Sequence, residues 1–230
     1  MRRISDLSRL KQGRGSGEGA SYKPWILTSE VSSYGTAANP VDYITGRTVE
    51  LLSRNENYYW RIMRFKDGVI DIREQFPLLP LSLTMQIADE LGFKHPRYKG
   101  QPVVMTTDFL IATKEGYLAR NVKLKKDLMI HRVQEKIMIE MSYWKMKNIP
   151  FLIITEDSID KQMALNLELI NEYHNIENVH DEFSLMKYLL SNKMIVSDLS
   201  QALNLQQLIK ENQSMLQSFI QKEELYIGRT

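Results

Sequence analysis

The sequence predicts an α/β fold in which helices pack against a small mixed sheet. Residues 69–76 alternate apolar and polar side chains, which is the pattern of a β-strand. Residues 149–154 form an apolar run, which is typical of a strand buried on both faces. Apolar residues at helical spacing precede the first of these strands and also lie between the two. Helices and strands are therefore expected to alternate along this part of the chain.

The first predicted helix begins after Ser53. Ser53 and Glu56 have the spacing of a capping box, with the serine as N-cap and the glutamate as the third helical residue. Apolar residues continue at helical spacing as far as residue 65, and Gly68 is expected to end the helix.

Two strands and a long helix are expected downstream. Residues 81–100 are irregular apart from a short helix at 84–91. Gly116 is placed in the turn of a hairpin whose strands cover 103–111 and 117–124. A helix over 128–147 then carries one apolar stripe, made of Ile130, Val133, Ile137, Met141 and Trp144.

The strand signal stops after residue 155. Four helices are predicted beyond it, at 158–174, 182–191, 196–203 and 205–222. Short helices joined by tight turns between Ser184 and Leu208 are typical of a helix-turn-helix or winged-helix module. The acidity of this region argues against ordinary DNA binding by that module.

Composition excludes several classes of protein. The chain has 230 residues, 43% of them hydrophobic, which suits one moderate domain or two small ones. It has no cysteine, which excludes disulfides and thiolate metal sites. No apolar run approaches the ~20 residues that a membrane-spanning helix needs, and no signal peptide is recognisable. We therefore expect a soluble, cytoplasmic protein without a membrane partner.

The charge is distributed unevenly along the chain. Residues 151–230 hold six Lys or Arg against twelve Asp or Glu, a balance of −6. The totals of 30 and 28 leave 24 and 16 for residues 1–150, a balance of +8. This asymmetry predicts two different partners, unless the two parts simply differ in surface charge.

The N-terminal 24 residues are basic and rich in glycine. They carry six Lys or Arg against two acids, and alternate glycines at 13, 15, 17 and 19 disfavour a helix or strand. We expect an arm over residues 1–45, with Arg14 and Lys23 lying along DNA phosphates. A disordered leader without function is the competing interpretation.

The predicted hairpin carries residues suited to phosphodiester hydrolysis. That reaction needs a divalent cation held by oxygen ligands, with a lysine near the attacking water. Asp108 lies in the first strand, and Asn121-Val122-Lys123 lies in the second, with Asn121 and Lys123 on the same face. Glu56, from the preceding helix, could complete the set.

Each of these residues also has an ordinary structural interpretation. Asp108 could pair with a neighbouring cation, and Glu56 could simply close its capping box. Lys123 belongs to a basic cluster that could be a solvated face. The remaining members of that cluster are candidate DNA contacts: Arg120, Lys125 and Lys126. The motif alone therefore does not establish a nuclease.

Longer stretches resemble the TnsA family of transposon endonucleases. The strongest matches are the run from Asp71 to Pro80, the N-terminal run Gly13–Gly19 and the segment Tyr22–Trp25. Four shorter matches continue in the same order: Thr45-Gly46-Arg47, Lys94-His95-Pro96, Met105–Phe109 and Tyr143-Trp144. The resemblance covers residues 11–155 strongly and the rest in outline.

This resemblance implies a restriction-endonuclease-like catalytic domain over 46–155 and a small helical, winged-helix-like domain over 156–230. Members of the family cut the 5′ strands of double-stranded transposon-end DNA. A TnsB-like transposase cuts and joins the 3′ ends, and a TnsC-like AAA+ ATPase regulates both and contacts the C-terminal region. Relatives of this type also serve RNA-guided, CRISPR-associated transposons.

The resemblance also implies roles for individual residues. Glu56, Asp108 and Lys123 take the family's glutamate, aspartate and lysine positions in the catalytic site. Asn121 takes a glutamine position, and the carbonyl of Val122 would join Glu56, Asp108 and Asn121 around Mg²⁺, for which Mn²⁺ could substitute. Asparagine keeps the amide oxygen but is one methylene shorter, which could weaken the metal site.

Three other functions compete with this interpretation. The chain could be a stand-alone restriction or repair nuclease of the same fold. It could be an assembly subunit of the transposase whose metal site has decayed at Asn121. It could also be a regulatory DNA-binding protein that uses its C-terminal helices.

Overall fold

The computed structural model describes residues 4–31 and 36–223. The chain divides into two units, Met1–Ile159 and Asp160–Thr230. Parts of the predicted arm and of the predicted C-terminal domain lie outside the described residues: 1–3, 32–35 and 224–230.

The first unit is a mixed α/β structure. Its central sheet has four strands in the order β1-β4-β5-β6, in which β1, β4 and β5 are antiparallel and β6 joins parallel to β5. A two-stranded hairpin, β2–β3, was not predicted from the sequence. The elements are α1 (Asp6–Lys11), α2 (Arg54–Phe65), β1 (Val69–Pro77), α3 (Leu81–Glu90), β2 (Arg97–Tyr98), β3 (Gln101–Pro102), β4 (Thr106–Thr113), β5 (Gly116–Val122), α4 (His131–Met146) and β6 (Phe151–Ile154).

Helix α2 starts at its predicted cap. The backbone N–H of Glu56 donates to the Ser53 hydroxyl at 3.2 Å, and the Glu56 carboxylate accepts from that hydroxyl at 2.8 Å. The helix ends at Phe65, earlier than predicted, and Gly68 lies in the turn before β1 with a φ of +81°. Only glycine adopts that conformation without strain.

Helices cover both faces of the sheet. Because side chains alternate along a strand, Phe109 and Ile111 of β4 pack with α2, whereas Leu110 packs with α3 and α4. The core on the α2 side includes Trp60, and Trp144 lies in the core on the α4 side. The same alternation decides on which face of the sheet each polar residue of the β4–β5 hairpin lies.

The buried stripe of α4 differs from the predicted one. Ile130 and Met141 of the predicted stripe are 50% and 48% exposed. Trp144 is buried as predicted, and α4 also buries Ile139, Glu140 and Tyr143, which lay outside the predicted stripe. Tyr143 and Trp144 belong to the core on the α4 side of the sheet, and Glu140 of the same helix contacts Asn121 of β5 and Thr107 of β4.

The described part of the N-terminal segment is folded onto the first unit, which corrects the prediction of a free arm. Helix α1 precedes the glycines, and Arg9 and Arg14 both pair with Glu30. Gly15 has a φ of +77°, and a Cβ there would lie 2.2 Å from the ring of Pro77. The glycine therefore permits close packing rather than flexibility.

Two stretches that carried the resemblance meet in a buried ion pair. Arg47 donates from both of its terminal nitrogens to Glu74 of β1, at 2.6 and 2.7 Å. The side chain of Glu74 is 0% exposed, and its carboxylate also accepts from the backbone N–H of Glu50. This pair joins the segment before α2 to the first strand.

The second unit is helical over its described residues. The helix prediction at 182–191 is confirmed, whereas 196–203 forms turns because Asp198 accepts hydrogen bonds from Ser200 in place of helical ones. The predicted 205–222 helix breaks at Asn212, and residues 160–223 contain no strand that could form a wing. Its helices are α5 (Lys161–Asn171), α6 (Glu182–Ser191), α7 (Leu205–Glu211) and α8 (Gln213–Lys222).

None of the helices in the described ranges combines the length and the apolar character that a bilayer crossing requires.

Candidate active site

The β4–β5 hairpin brings the predicted aspartate and lysine into direct contact. Asp108 Oδ2 accepts the backbone N–H of Val122 at 2.7 Å and the Nζ of Lys123 at 3.3 Å. Lys123 Nζ also donates to the Val122 carbonyl at 3.1 Å. Lys123 is placed just after the last residue of β5, where its side chain remains 31% exposed. The hairpin thus holds a carboxylate, a carbonyl and an ammonium together.

Asn121 is buried on the α4 side of the sheet and is held by a chain of hydrogen bonds. Its side-chain amide donates to Glu140 Oε2 at 2.5 Å. The other carboxyl oxygen of Glu140 accepts from the Thr107 hydroxyl at 2.7 Å, and Trp144 Nε1 donates to that hydroxyl at 2.6 Å. This chain orients the amide so that Asn121 Oδ1 has no hydrogen-bond partner.

Glu140 was missed by the sequence reasoning. It lies on α4 between Ile137 and Trp144 of the predicted apolar stripe, at helical spacing from both. An acid within an apolar stripe is the signal that could have found it, because a buried charge needs partners. Burial raises the pKa of Glu140 to about 8, and the charge of Asp108 acts in the same direction.

Glu56 approaches the site from α2 and is fully engaged. Its carboxylate accepts from Ser53 at 2.8 Å, from the backbone N–H of Leu52 at 3.0 Å and from the Gln75 side chain at 3.1 Å. Burial raises its pKa to about 7, and the charge of Asp108 contributes to this rise. The charge of Asp108 therefore acts on Glu56, although no hydrogen bond joins the two side chains.

Gln75 is a second residue that the sequence reasoning missed. It lies in β1 with a φ of +48°, between residues that pair with Phe109 and Thr107 of β4. A left-handed residue other than glycine within a strand costs roughly 1–3 kcal/mol, and such residues cluster at functional sites. No sequence signal marks this conformation. It directs the Gln75 amide to Glu56.

Lys123 remains a cation in this environment. Burial lowers its pKa, but the carboxylates of Asp108, Glu140 and Glu56 outweigh burial and leave the pKa above its usual range. A protonated lysine can donate hydrogen bonds and offset negative charge, but it cannot accept a proton from water.

A cavity of about 300 Å³ opens onto these residues. That volume lies at the lower end of the range for small-ligand pockets. Its polar lining includes Asp108, Asn121, Lys123 and Glu140 but not Glu56, and α4 contributes an apolar wall that contains Val133 and Ile137.

The oxygen atoms at the site suit a hard divalent cation. Asp108 offers a carboxylate, Asn121 an unpartnered amide oxygen, and Val122 a backbone carbonyl. Within the described ranges no cluster of three or more His, Cys, Asp or Glu side chains could hold a metal. The donor set therefore depends on the amide and the carbonyl as well as on Asp108.

The five predicted DNA contacts divide into two groups. Lys23, Lys125 and Lys126 are exposed, although Lys125 Nζ pairs with Asp157 at 2.7 Å. Arg14 and Arg120 are each 9% exposed, which argues against the predicted contact with phosphates. Arg14 donates to Trp25 O and Glu30, and Arg120 donates to the carbonyls of Ala119 and Pro150.

Two comparisons with known proteins point to one family. The family described as "TnsA-like endonuclease N terminal" matches residues 66–156, a range that contains the hairpin and Glu140 but not Glu56. The transposition protein TnsA of transposon Tn7 from Escherichia coli is 42% identical to the chain over 163 residues. That match covers 70% of this chain and 59% of the relative, so the chain spans less than two thirds of the relative's length.

Proposed function

Because this chain is a TnsA-type protein, we propose that it is a metal-dependent DNA endonuclease that cuts the 5′ strands at transposon ends. In this role it works with a TnsB-like transposase, which processes the 3′ strands, and with a TnsC-like AAA+ ATPase. Cut-and-paste transposition requires both strands to be cut at each end.

One observation carries the nuclease proposal. Asp108 accepts hydrogen bonds from the Val122 N–H and from Lys123, whose Nζ also donates to the Val122 carbonyl. Asp108, Lys123 and Asn121, whose Oδ1 has no hydrogen-bond partner, all line one open cavity. Oxygen donors next to a lysine are the arrangement that metal-assisted phosphodiester hydrolysis needs.

Asp108, Asn121 and the Val122 carbonyl would hold Mg²⁺, with Mn²⁺ as a substitute. The bound cation would supply positive charge to the scissile phosphate and lower the pKa of a water molecule. Glu56 already accepts three hydrogen bonds, which favours a water-mediated contribution to the metal rather than a direct one.

Lys123 orients the attacking water and stabilises the charge that develops on the phosphate. The raised pKa of Lys123 favours a role as hydrogen-bond donor to the water over a role as the base that removes its proton. Glu140 acts through Asn121, whose amide it fixes at 2.5 Å. No covalent intermediate is needed, since water is the nucleophile.

The charge distribution supports the two classes of partner. The balance of +8 in residues 1–150 suits transposon-end DNA, and the balance of −6 in residues 151–230 suits a contact with the ATPase. Exposed Lys23 and Lys126 remain proposed DNA contacts.

A second candidate function is that of an assembly subunit without cleavage activity. The Asn121 side chain is shorter than the glutamine that the family resemblance implies, and the residue is 3% exposed. An oxygen so enclosed could fall short of the metal. The protein would then contribute contacts to the transposase but no 5′ cut.

Strand-specific cleavage of end-labelled transposon-end DNA tests these alternatives. The reaction contains magnesium and both partner proteins, and it compares the wild type with Asp108→Asn, Asn121→Gln and the exposed control Asp89→Asn. The nuclease proposal expects 5′ nicks that Asp108→Asn reduces at least about a hundredfold and that the control retains.

Two other outcomes contradict that expectation. If only Asn121→Gln cuts, the site of the natural chain is disabled at Asn121. If no variant cuts in a complex that assembles, the nuclease proposal is wrong and the assembly role stands.

A further inference from the structure

Lys136 is a cation without a counter-charge at the cavity that holds the candidate active site. It lies on α4, lines the cavity together with Asp108 and Lys123, and is exposed. Among the residues that the structure describes, no acid lies within ion-pair distance of its Nζ and no hydrogen bond reaches it.

The neighbouring cations are engaged, whereas Lys136 is not. Lys123 donates to Asp108 and to the Val122 carbonyl, and Arg132 pairs with Glu135. Burial lowers the pKa of Lys136, and repulsion from Arg132 and Lys123 adds to this effect. Among the described cations that line this cavity, Lys136 is therefore the one whose charge no paired acid offsets.

The lining of the cavity suits a nucleotide better than a bare ion. Val133, Lys136, Ile137 and Glu140 all line it, at the spacing of one face of α4. Apolar side chains therefore flank the lysine, and they could pack against a deoxyribose while the ammonium group meets a phosphate.

We propose that Lys136 binds a backbone phosphate of the DNA substrate, next to the scissile phosphate at the candidate active site. This inference rests on the proposed nuclease function and adds a binding residue to it. Lys136 fixes the register of the strand in the cavity, because a phosphate contact positions DNA without reading its sequence.

The first test is the salt dependence of binding to transposon-end duplex DNA, measured by fluorescence anisotropy in EDTA. Removal of one phosphate contact changes the slope of log K against log salt by about 0.9. Lys136→Gln is expected to reduce the slope by that amount and to weaken binding roughly fivefold to tenfold at about 0.1 M salt.

Lys145→Gln is the matched control, since it removes the same charge from an exposed position of the same helix. Nine residues separate it from Lys136, which places it on the opposite side of α4. If Lys136→Gln and Lys145→Gln change the salt slope equally, the loss of binding reflects only the lower positive charge of the protein. That result would overturn the proposed subsite.

The second test locates the phosphate. Single neutral methylphosphonates are placed along the DNA strand around the measured cut, and binding of the wild type and of Lys136→Gln is compared. One position close to the cut should weaken wild-type binding but cause no further loss in Lys136→Gln. Additive losses at every position would overturn the proposal.

The two proposals can fail separately. A slope change without 5′ cleavage would keep the phosphate subsite and discard the nuclease. If the wild type cuts the 5′ strand but Lys136→Gln leaves the salt slope of DNA binding unchanged, the nuclease proposal is kept and the phosphate subsite is discarded. Absence of any wild-type DNA binding would overturn the phosphate subsite, whereas the nuclease proposal is decided by the cleavage assay with both partner proteins.

Discussion

The side-chain amide of Asn121 donates a 2.5 Å hydrogen bond to Glu140, which joins β5 to α4 inside the candidate site. Because the amide nitrogen is occupied by Glu140, the amide oxygen is the atom left for a metal. The site is therefore built by the long helix as well as by the hairpin. The hydrogen bond to Glu140 fixes the orientation of the Asn121 amide, which is one methylene shorter than the glutamine that the family resemblance implies.

Glu140→Leu is predicted to raise the magnesium concentration needed for half-maximal cleavage about 10- to 100-fold. Loss of a residue that orients a metal ligand has an effect of this size. Glu140→Gln is expected to retain most activity, since its amide oxygen can still accept from Asn121 and its neutral side chain matches a group whose pKa is about 8. Magnesium titrations of cleavage measure both effects.

An inactive Glu140→Gln would contradict a positioning role and indicate that the carboxylate itself binds the metal. Asn121→Ala and the double variant with Glu140→Leu complete the comparison. Their effects should not add, because both disrupt one contact.

Glu56 and Glu140 are predicted to reduce the stability of the metal-free protein as the pH rises from their ordinary pKa of 4.5 through their raised values. The last part of this loss falls between about pH 7 and pH 9. The pKa values of Glu56 and Glu140 are raised to about 7 and about 8, mainly by burial, so the folded state binds protons more tightly than the unfolded state. Stability is then lost as the pH rises through these values. Burial lowers the pKa values of His95 and His174 from 6.5, so the titration of these histidines reduces stability only at a pH below 6.5. They therefore do not affect the interval above pH 7.

Thermal unfolding in EDTA measures this loss. A change of roughly 2 kcal/mol corresponds to a fall in Tm of roughly 4–8 °C. Glu140→Gln should remove most of the pH dependence. A Tm that is constant or that rises over this interval would refute the assignment of both shifts.

Gly15→Ala is predicted to destabilise the protein more than Gly13→Ala. Both glycines have a similar positive φ, +77° and +70°, so alanine is strained by about 1–2 kcal/mol at either position. Only at Gly15 would the new Cβ lie 2.2 Å from Pro77, which adds an overpacking cost of about 1–3 kcal/mol.

Urea unfolding of the two variants separates strain from steric conflict. Equal losses would show that Gly15 does not pack closely against Pro77. The N-terminal segment would then be less firmly attached than its contacts indicate.

Arg47→Lys is predicted to lower the free energy of unfolding by about 2 kcal/mol. A lysine keeps the positive charge but cannot make both of the hydrogen bonds to Glu74, at 2.6 and 2.7 Å, that the guanidinium makes. Arg54→Lys, at an exposed position of α2, is the control and should change stability little. A loss no larger than that of the control would show that the paired geometry contributes nothing.

Local patterns predicted much of the first unit. The cap at Ser53, the alternation in β1 and the spacing of Asn121 and Lys123 depend on residues close in sequence, and the structure has each of them. The helix at 182–191 was predicted at its observed bounds, and in the structure Asp181 and Ser184 form its capping box.

Contacts between distant residues were not predictable in this way. The position of Glu140 depends on contacts of α4 with Asn121 and Thr107 of the sheet, and the left-handed Gln75 lies where β1 pairs with β4. Glycine spacing suggested a free arm because the Pro77 ring that meets Gly15 lies 62 residues away. Side-chain packing, rather than local propensity, decided these features.

The hydrogen bond from the Val104 N–H to the Asp6 carboxylate at 2.7 Å also bears on the order of folding. It joins residues 98 positions apart, whereas the Asp108 contact with Val122 joins residues only 14 apart. Closing the longer loop costs about 1.7 kcal/mol more in chain entropy. The β4–β5 hairpin can therefore form as an early, local unit, and the contact of α1 with Val104 forms afterwards.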